Sequence, residues 1–290
     1  MKGFANIGNT CYLNSGLQML IQNKDLCQTI LDYGNKSLVL NKISHFILAY
    51  HNNEKKPLVP NDIKMIVASH QHLFMGNMQQ DSAEFIVFLL DIINEEIKKI
   101  EKESNKVITG ISKVFTLKSD VRVKCKLTDC LYSSSHIETN NYLLLDINPE
   151  FKSLDDCYRL SKSAEILDNI YKCEKCKKTV MASKRSHVTE WPSNLIIWLK
   201  RFVQVNNRFS KNSQSLDIPL IWRHDYHLQG AVIHSGGLNG GHYIYVGKNN
   251  NKYYTFNDSM VSEINENEFL NYISNAYIIY YKKINTNHDT

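Results

Sequence analysis

Residues 81–102 read DSAEFIVFLLDIINEEIKKIEK, and they divide the chain in two. Phe85, Phe88, Leu89, Ile92, Ile93 and Ile97 recur at three- and four-residue steps, the spacing of one helical stripe. Asp81 stands where a helix cap belongs, and Glu84 follows at capping-box spacing. The charge run beyond, EEIKKIEKESNK, reads as a solvated helix end. Before this helix, apolar residues keep helical spacing from Tyr12 to about Asn23 (Leu13, Leu17, Leu20, Ile21). Ile43 to Tyr50 and Asn61 to about His70 are two further helices, the second entered through Pro60. From about Val114 onward the pattern changes to β-branched and aromatic stretches: VFTL, VRVKC, YLLLDI, LIIWLKRF, AVIH, HYIYVG, KYYTFND and AYIIYYKK. Between them Leu154 to Ile170 has room for a short helix. Helices first and strands after give an α+β fold, not alternating βαβ units. The last residues, NTNHDT, read as a frayed tail.

Composition bounds the function. The 290 residues suffice for one large domain, with 43% hydrophobic and 22% charged residues, ordinary for a globular protein. A net charge of +5 spread along the chain gives little footing for a nucleic-acid partner. The first ten residues lack the apolar core of a secretory signal, and the run FIVFLL is too short to span a bilayer. Seven cysteines, an odd number, with one pair spaced as CEKC, point to thiol or metal chemistry inside a cell and not to a disulfide framework. The expected address is the cytoplasm or the nucleus.

Cys11 lies at the mouth of the first helix. There the exposed N–H groups and the positive end of the helix dipole favour a thiolate; the plain alternative is a buried structural cysteine. A thiol nucleophile needs a base, and of 11 histidines His242 stands out, set between the glycines of GGLNGG and an apolar strand. The glycines leave the approach to that imidazole free of side chains; the alternative is an ordinary hairpin turn. The imidazole in turn needs an orienting partner, and Asn257 with Asp258 follows one strand later. Cys–His–Asn is a known form of the triad, although Asn-Asp at a strand end is also a common turn. Asn6, five residues before Cys11, has a carboxamide of the kind that donates to a tetrahedral oxyanion.

Together these residues identify a resemblance. GFANIGNTCYLNSGLQML (3–20) resembles the cysteine box of the ubiquitin-specific proteases, papain-like deubiquitinases shaped as fingers, palm and thumb. YHLQGAVIHSGGLNGGHYIYVG, KYYTFNDSMVSEI and AYIIYYKK are similar to the family's histidine box and closing strands. MQQDSAEFIVFLLD and WPSNLIIWLKRF match its thumb-helix and Leu-Lys-Arg-Phe motifs. The resemblance runs from residue 3 to about 283 and implies one catalytic domain over 1–283, with 284–290 a tail. Its helical thumb would span about 1–105, its β-ribbon fingers about 110–190, and its β palm the remainder.

The resemblance also implies roles. Cys11 is the nucleophile, His242 the general base and later acid, Asn257 the third triad member, Asp258 the neighbouring assisting acid, and Asn6 the oxyanion residue. Gln79 and Asp81 match positions that meet the extended ubiquitin tail, and Gly240 and Gly241 flank the channel for its two terminal glycines. The implied reaction is hydrolysis of the isopeptide bond after that tail through a Cys11 thioester. Phe4 and Ile7 replace the family's leucines, and both stay apolar. An amide at 257 orients His242 without adding charge, so Asp258 is expected to matter as much as Asn257.

A second cluster joins Cys173 and Cys176 in YKCEKCKK to Cys125 and Cys130 in VKCKLTDCLYSSS, half-sites of a zinc ribbon. The C-x4-C spacing of the latter is two residues wider than usual and implies a looser knuckle. The expected cofactor is a structural, non-catalytic zinc; the alternative is a ribbon that has lost its metal. Cys27 and Cys157 are expected as core thiols. Ubiquitin and ubiquitinated proteins are the expected partners of a monomer that binds neither nucleic acid nor membrane. A protease for another ubiquitin-like modifier and an inactive ubiquitin-binding module are the alternatives. A zinc-ribbon nucleic-acid binder, suggested by the basic CKKTVMASKRSH, leaves both long boxes unexplained.

Overall fold

The computed structural model describes residues 1–205, 208–237 and 240–284. Leu238 and Asn239 of the glycine-rich loop, and the tail expected at NTNHDT, lie outside the described residues. Six helices come first: α1 (Cys11–Ile21), α2 (Lys24–Tyr33), α3 (Leu38–His51), α4 (Asn61–His70), α5 (Ser82–Glu103) and the single turn α6 (Ser112–Phe115). Then follow β1 (Leu117–Cys125), β2 (Ser133–Asn140), β3 (Leu143–Asp146), α7 (Leu154–Ser161), β4 (Glu165–Lys172), β5 (Thr179–Glu190) and β6 (Asn194–Lys200). The chain closes with β7 (Phe202–Val205), β8 (Arg208–Lys211), β9 (Ile221–Trp222), β10 (Tyr226–Gly237), β11 (Gly240–Asn249), β12 (Lys252–Asn257), β13 (Met260–Ile264), α8 (Glu266–Ile273) and β14 (Ala276–Lys283). The mixed fold is thus helices first and sheet after, as the patterning implies.

The large sheet runs β13-β12-β11-β10-β14-β6-β3, with β9 added on β10. It is antiparallel throughout except where β3 pairs β6. Its central strands read as continuous apolar runs because both faces are covered. Val232, Tyr245, Ile278 and Tyr280 face the helices, and their neighbours Ala231, Val246, Ile279 and Tyr281 face a second core with α7 and α8. The second sheet, β2-β1-β5-β4, is a four-stranded ribbon separate from the large sheet, with Leu117 and Val188 at one end joining the second core. Its tip has a core of only three buried residues, Cys125, Cys173 and Val180. The ribbon is not contiguous in sequence, since 143–146 and 154–161, within the stretch expected as fingers, return to the large sheet and its core.

Helix α1 differs from its sequence pattern. Every one of its residues is buried, so it is a central helix, not an amphipathic one. It lies between α5 and strand β11, and Gly16 permits the approach, because a Cβ there would come within 3.0 Å of Ile86 and Phe85. Its polar residues find partners inside: Gln18 donates to the Lys2 carbonyl at 2.7 Å and accepts from the Tyr50 hydroxyl at 3.1 Å. Helix α2 was not expected as a separate element; Asn23 caps it by accepting the Leu26 N–H at 2.9 Å.

Candidate active site

The turn before α1 is built around one side chain. The Asn6 carbonyl oxygen accepts the backbone N–H groups of Gly8 at 3.2 Å and Thr10 at 3.1 Å. Gly8 and Asn9 both have positive φ, a left-handed step that glycine and asparagine tolerate. Thr10 ends the turn without capping the helix. The first N–H groups of α1 are therefore free of a side-chain cap, and Cys11 is the first helical residue. The residue is buried, at 4% exposure. Burial pushes the thiol pKa up, the Tyr243 and Tyr12 N–H groups pull it back, and the Asp258 charge raises it; the net shift is upward. The free protein thus holds Cys11 as a thiol.

The packing of α1 on β11 brings the two ends of the chain together. Tyr243 follows His242 on β11, the strand against which α1 packs. The His242 Nε2 lies 2.6 Å from the Asn257 carbonyl oxygen, which can only accept. Nε2 therefore carries the proton, and Nδ1 keeps a lone pair for a partner. Among the hydrogen bonds of the described residues, none joins the Cys11 sulfur to His242. Asp258 does not face the imidazole either. Its carboxylate accepts the Asn6 amide at 2.9 Å and the Asn14 amide at 2.7 Å, and its carbonyl accepts the Phe4 N–H at 2.8 Å. Asn6 is thereby fixed at both ends of its amide.

A cleft of about 300 Å³ opens beside the sulfur, lined by Gln79, Asp81, Phe202, His234, Gly241 and Tyr243 among others. Gln79 donates to the Gly241 carbonyl and accepts its N–H, both at 3.2 Å. Gly240 opens strand β11 and has free space where a Cβ would stand. Asp81 caps α5 through the Ala83 and Glu84 N–H groups and accepts the hydroxyls of Tyr277 at 2.6 Å and Tyr243 at 3.2 Å. Of the capping box that Asp81 and Glu84 suggested, only the Asp81 half forms among the described residues, and the carboxylate is satisfied within the protein. His234, Tyr243 and Tyr277 were not singled out from sequence; the only signal was the apolar run leading into HSGG. His234 is buried, and burial, then Lys211, then His242, push its pKa down to about 4, so it is neutral.

At the ribbon tip the four sulfurs of Cys125, Cys130, Cys173 and Cys176 lie within 4.8 Å of one another, with Cys130 and Cys173 at 3.7 Å. A tetrahedral zinc with bonds of about 2.3 Å separates its sulfurs by roughly 3.8 Å, so the donor set fits. The wider first spacing closes in one turn, since the Leu127 carbonyl accepts both the Cys130 and the Leu131 N–H. Each half-site ends alike: Leu131 and Lys177, the residues after the second cysteines, have φ of 46° and 61°. Cys27 and Cys157 are buried core thiols. No described helix is long and apolar enough to cross a membrane.

A family model described as ubiquitin carboxyl-terminal hydrolase matches residues 2–281. Ubiquitin carboxyl-terminal hydrolase 4 of Vanderwaltozyma polyspora is 28% identical, over 97% of this chain and 41% of that protein. Ubiquitin carboxyl-terminal hydrolase 5 of Saccharomyces cerevisiae is also 28% identical, over 97% of this chain and 44% of that protein. The chain thus spans about two fifths of the length of these relatives. Among solved structures, the SAGA DUB module of Ubp8, Sgf11, Sus1 and Sgf73 bound to monoubiquitin matches with a TM-score of 0.76 and 25% identity. That match covers 98% of this chain and 69% of the other. The same module bound to ubiquitin aldehyde matches with a TM-score of 0.76.

Proposed function

The chain belongs to the ubiquitin carboxyl-terminal hydrolase family, and from there we propose that it is a thiol-dependent deubiquitinase acting through Cys11. The observation that carries this is that α1, which begins at Cys11, packs against β11, the strand bearing an imidazole, His242, that Asn257 orients. Residues 1–283 form one catalytic domain, with the helices as thumb, the ribbon as fingers and the large sheet as palm. Ubiquitin lies against the fingers, and its tail enters the cleft between Gln79 and Asp81 on the thumb and Gly240 and Gly241 on the palm. The activity places the chain in the cytoplasm or nucleus, where ubiquitinated proteins are found. The domain works as a monomer.

In the reaction Nδ1 of His242 takes the Cys11 proton as substrate closes the gap between them. The sulfur attacks the isopeptide carbonyl carbon. The oxyanion is met by the free N–H at the start of α1 and by the second amide hydrogen of Asn6, the first being held by Asp258. His242 then gives its proton to the departing lysine amine, leaving a thioester. Water, deprotonated by the same imidazole, attacks the thioester and releases the ubiquitin carboxylate and the thiol. Cys125, Cys130, Cys173 and Cys176 would hold a zinc, which would close the finger tip without taking part in the reaction.

Ubiquitin carrying a C-terminal electrophile tests this. Mass spectrometry should find one adduct, on Cys11, that disappears in Cys11→Ala. Absence of the adduct, or its formation on the tip cysteines, overturns the reading. Faster labelling by a ubiquitin-like modifier bearing the same electrophile would reassign the substrate.

A further inference from the structure

A second cavity lies at the opposite end of the elements that carry Cys11 and His242. Helix α1 begins at Cys11, and 11 residues at about 1.5 Å each carry it roughly 16 Å away. Strand β11 begins beside His242 and ends at Asn249. Where both end, a cleft of about 470 Å³ is bounded by the start of α2, the end of α3, the turn after β11 and the end of β14. That volume is typical of a small-molecule site, for which about 300–1,000 Å³ is usual.

Its chemistry has one sign. Lys24, Lys248 and Lys282 converge on it from three elements, with His51 at the rim and no aspartate or glutamate in the lining. Lys282 is paired with Asp25 at 3.0 Å. Among the described residues no ion pair engages Lys24 or Lys248. Behind the wall Lys2 is buried, its ammonium held by the Ala49 carbonyl at 2.5 Å and by Asn52, again without a carboxylate. Partial desolvation first, and then the amino terminus, Lys24 and Lys2, hold the His51 pKa below the ordinary histidine value. The remaining wall is largely amide, including Gln22, Asn53 and Asn249, which can donate to phosphoryl oxygens.

We propose that this cleft binds a compact polyphosphate anion. Lysines act on phosphate as point charges. Here they point into one concave volume instead of lining a stripe, so the geometry suits a small, multiply charged ligand more than an extended polymer. A free phosphorylated metabolite and a phosphorylated lipid headgroup share this chemistry. The inference is independent of the catalytic reading, and its test needs no turnover.

The probe is inorganic tripolyphosphate, titrated into the full chain by calorimetry, with thermal unfolding in parallel. Saturable binding to one site, a rise in melting temperature and weakening with salt are expected. The double variant K24Q/K248Q should bind at least about tenfold more weakly, a loss of about 1.4 kcal/mol. K102Q/K106Q, which removes the same charge at the end of α5, should bind as the natural chain does. Circular dichroism checks that each variant is folded. Absence of saturable binding, undiminished binding by K24Q/K248Q, or an equal loss in K102Q/K106Q overturns the proposal. Vesicles of phosphatidylcholine with phosphatidylinositol bisphosphate separate the two sources. Sedimentation that tripolyphosphate competes and K24Q/K248Q abolishes assigns a lipid headgroup; tripolyphosphate binding without sedimentation assigns a free ligand. Either result supports the site.

Discussion

Cysteines occur at both ends of this molecule, under opposite physical conditions. Cys11 stands on a helix buried all round, inside the core shared by six helices and the large sheet. Core packing sets its position, and chemistry is added to a site that would fold without it. The four tip cysteines sit where the hydrophobic core shrinks to three buried residues, two of which are themselves cysteines. So little apolar area cannot offset the ordering of two knuckles, given about 1–2 kcal/mol of backbone entropy per residue. At the tip the sulfurs take the place of a core. A thiol supported by packing is free to react, and a thiol that replaces packing has to be coordinated.

The sharpest way to break this comparison is to strip the zinc proposed for the four tip cysteines. Structural zinc contributes on the order of 10 kcal/mol or more to the fold it closes. Chelation, or Cys173→Ser, should therefore release the amides of residues 125–132 and 171–180 to fast hydrogen exchange while α1 keeps its protection. If α1 opened with them, the two regions would be one cooperative unit and the contrast would fail. Next in size is Cys11→Ala. It should abolish ubiquitin hydrolysis, a loss of about 10⁶-fold by analogy with other acyl-transfer nucleophiles. Its melting temperature should change little, because only a thiol is lost from a packed helix. A variant that lost the same activity by unfolding would show that Cys11 is structural.

The same contrast explains what could be read from the sequence. Helix α5 was legible because its stripe and its cap at Asp81 are local, and the central strands because apolar runs survive burial on both faces. Strands β2, β4 and β5 were expected only as part of the β-ribbon fingers the resemblance implies over about 110–190, and no pattern of their own marked them. SSSHIETN is half or fully exposed along its whole length, so no apolar period marks it. Those strands exist because β1 pairs with β2 and β5 over long registers, which is non-local information. Around Cys11 the candidate residues stood in recognisable boxes, but their partners did not. That Asp258 meets Asn6 and Asn14, 252 and 244 positions away, depends on the fold. His234 was overlooked because nothing local separates a buried histidine from an exposed one.

The position of Asp258 yields the next largest effect. Asn6→Ala should lower kcat by about 10²–10³-fold, the usual cost of one oxyanion donor. Asp258→Ala should lower it in the same direction by releasing the Asn6 amide, and the double variant should be hardly worse than Asn6→Ala alone. The pH–rate profile distinguishes this from a direct role on the base. Asn257→Ala should move the limb that reports His242, whereas Asp258→Ala should leave that limb in place. A displaced limb in Asp258→Ala, with additive losses, would mean that the acid serves the imidazole after all.

The smallest effect concerns what holds the catalytic side of the contrast together. His234 is 9% exposed, its ring lies against Tyr243 at 4.5 Å and Phe202 at 5.2 Å, and its Nδ1 has no hydrogen-bond partner. Its Nε2 occupies the space beside Gly241, where a Cβ would come within 2.1 Å, so this imidazole also accounts for the glycine next to His242. The folded pKa, pushed down to about 4, lies below the ordinary histidine value of 6.5. Between those values the unfolded chain binds the extra proton, so stability rises with pH from about 4 to 6.5 and is lost on acidification through that window. At 1.36 kcal/mol per pH unit the full swing is at most about 3 kcal/mol. His234→Phe keeps the ring contacts and removes the titration. Urea unfolding of both proteins at intervals from pH 4 to 7 should show the difference in stability shifting in favour of the variant as pH falls. Carboxylate protonation and metal loss at the tip act on both proteins alike and cancel in that difference. A difference that stays constant across the window would mean that His234 is solvated and charged, and that the wall beside Cys11 is softer than its packing implies.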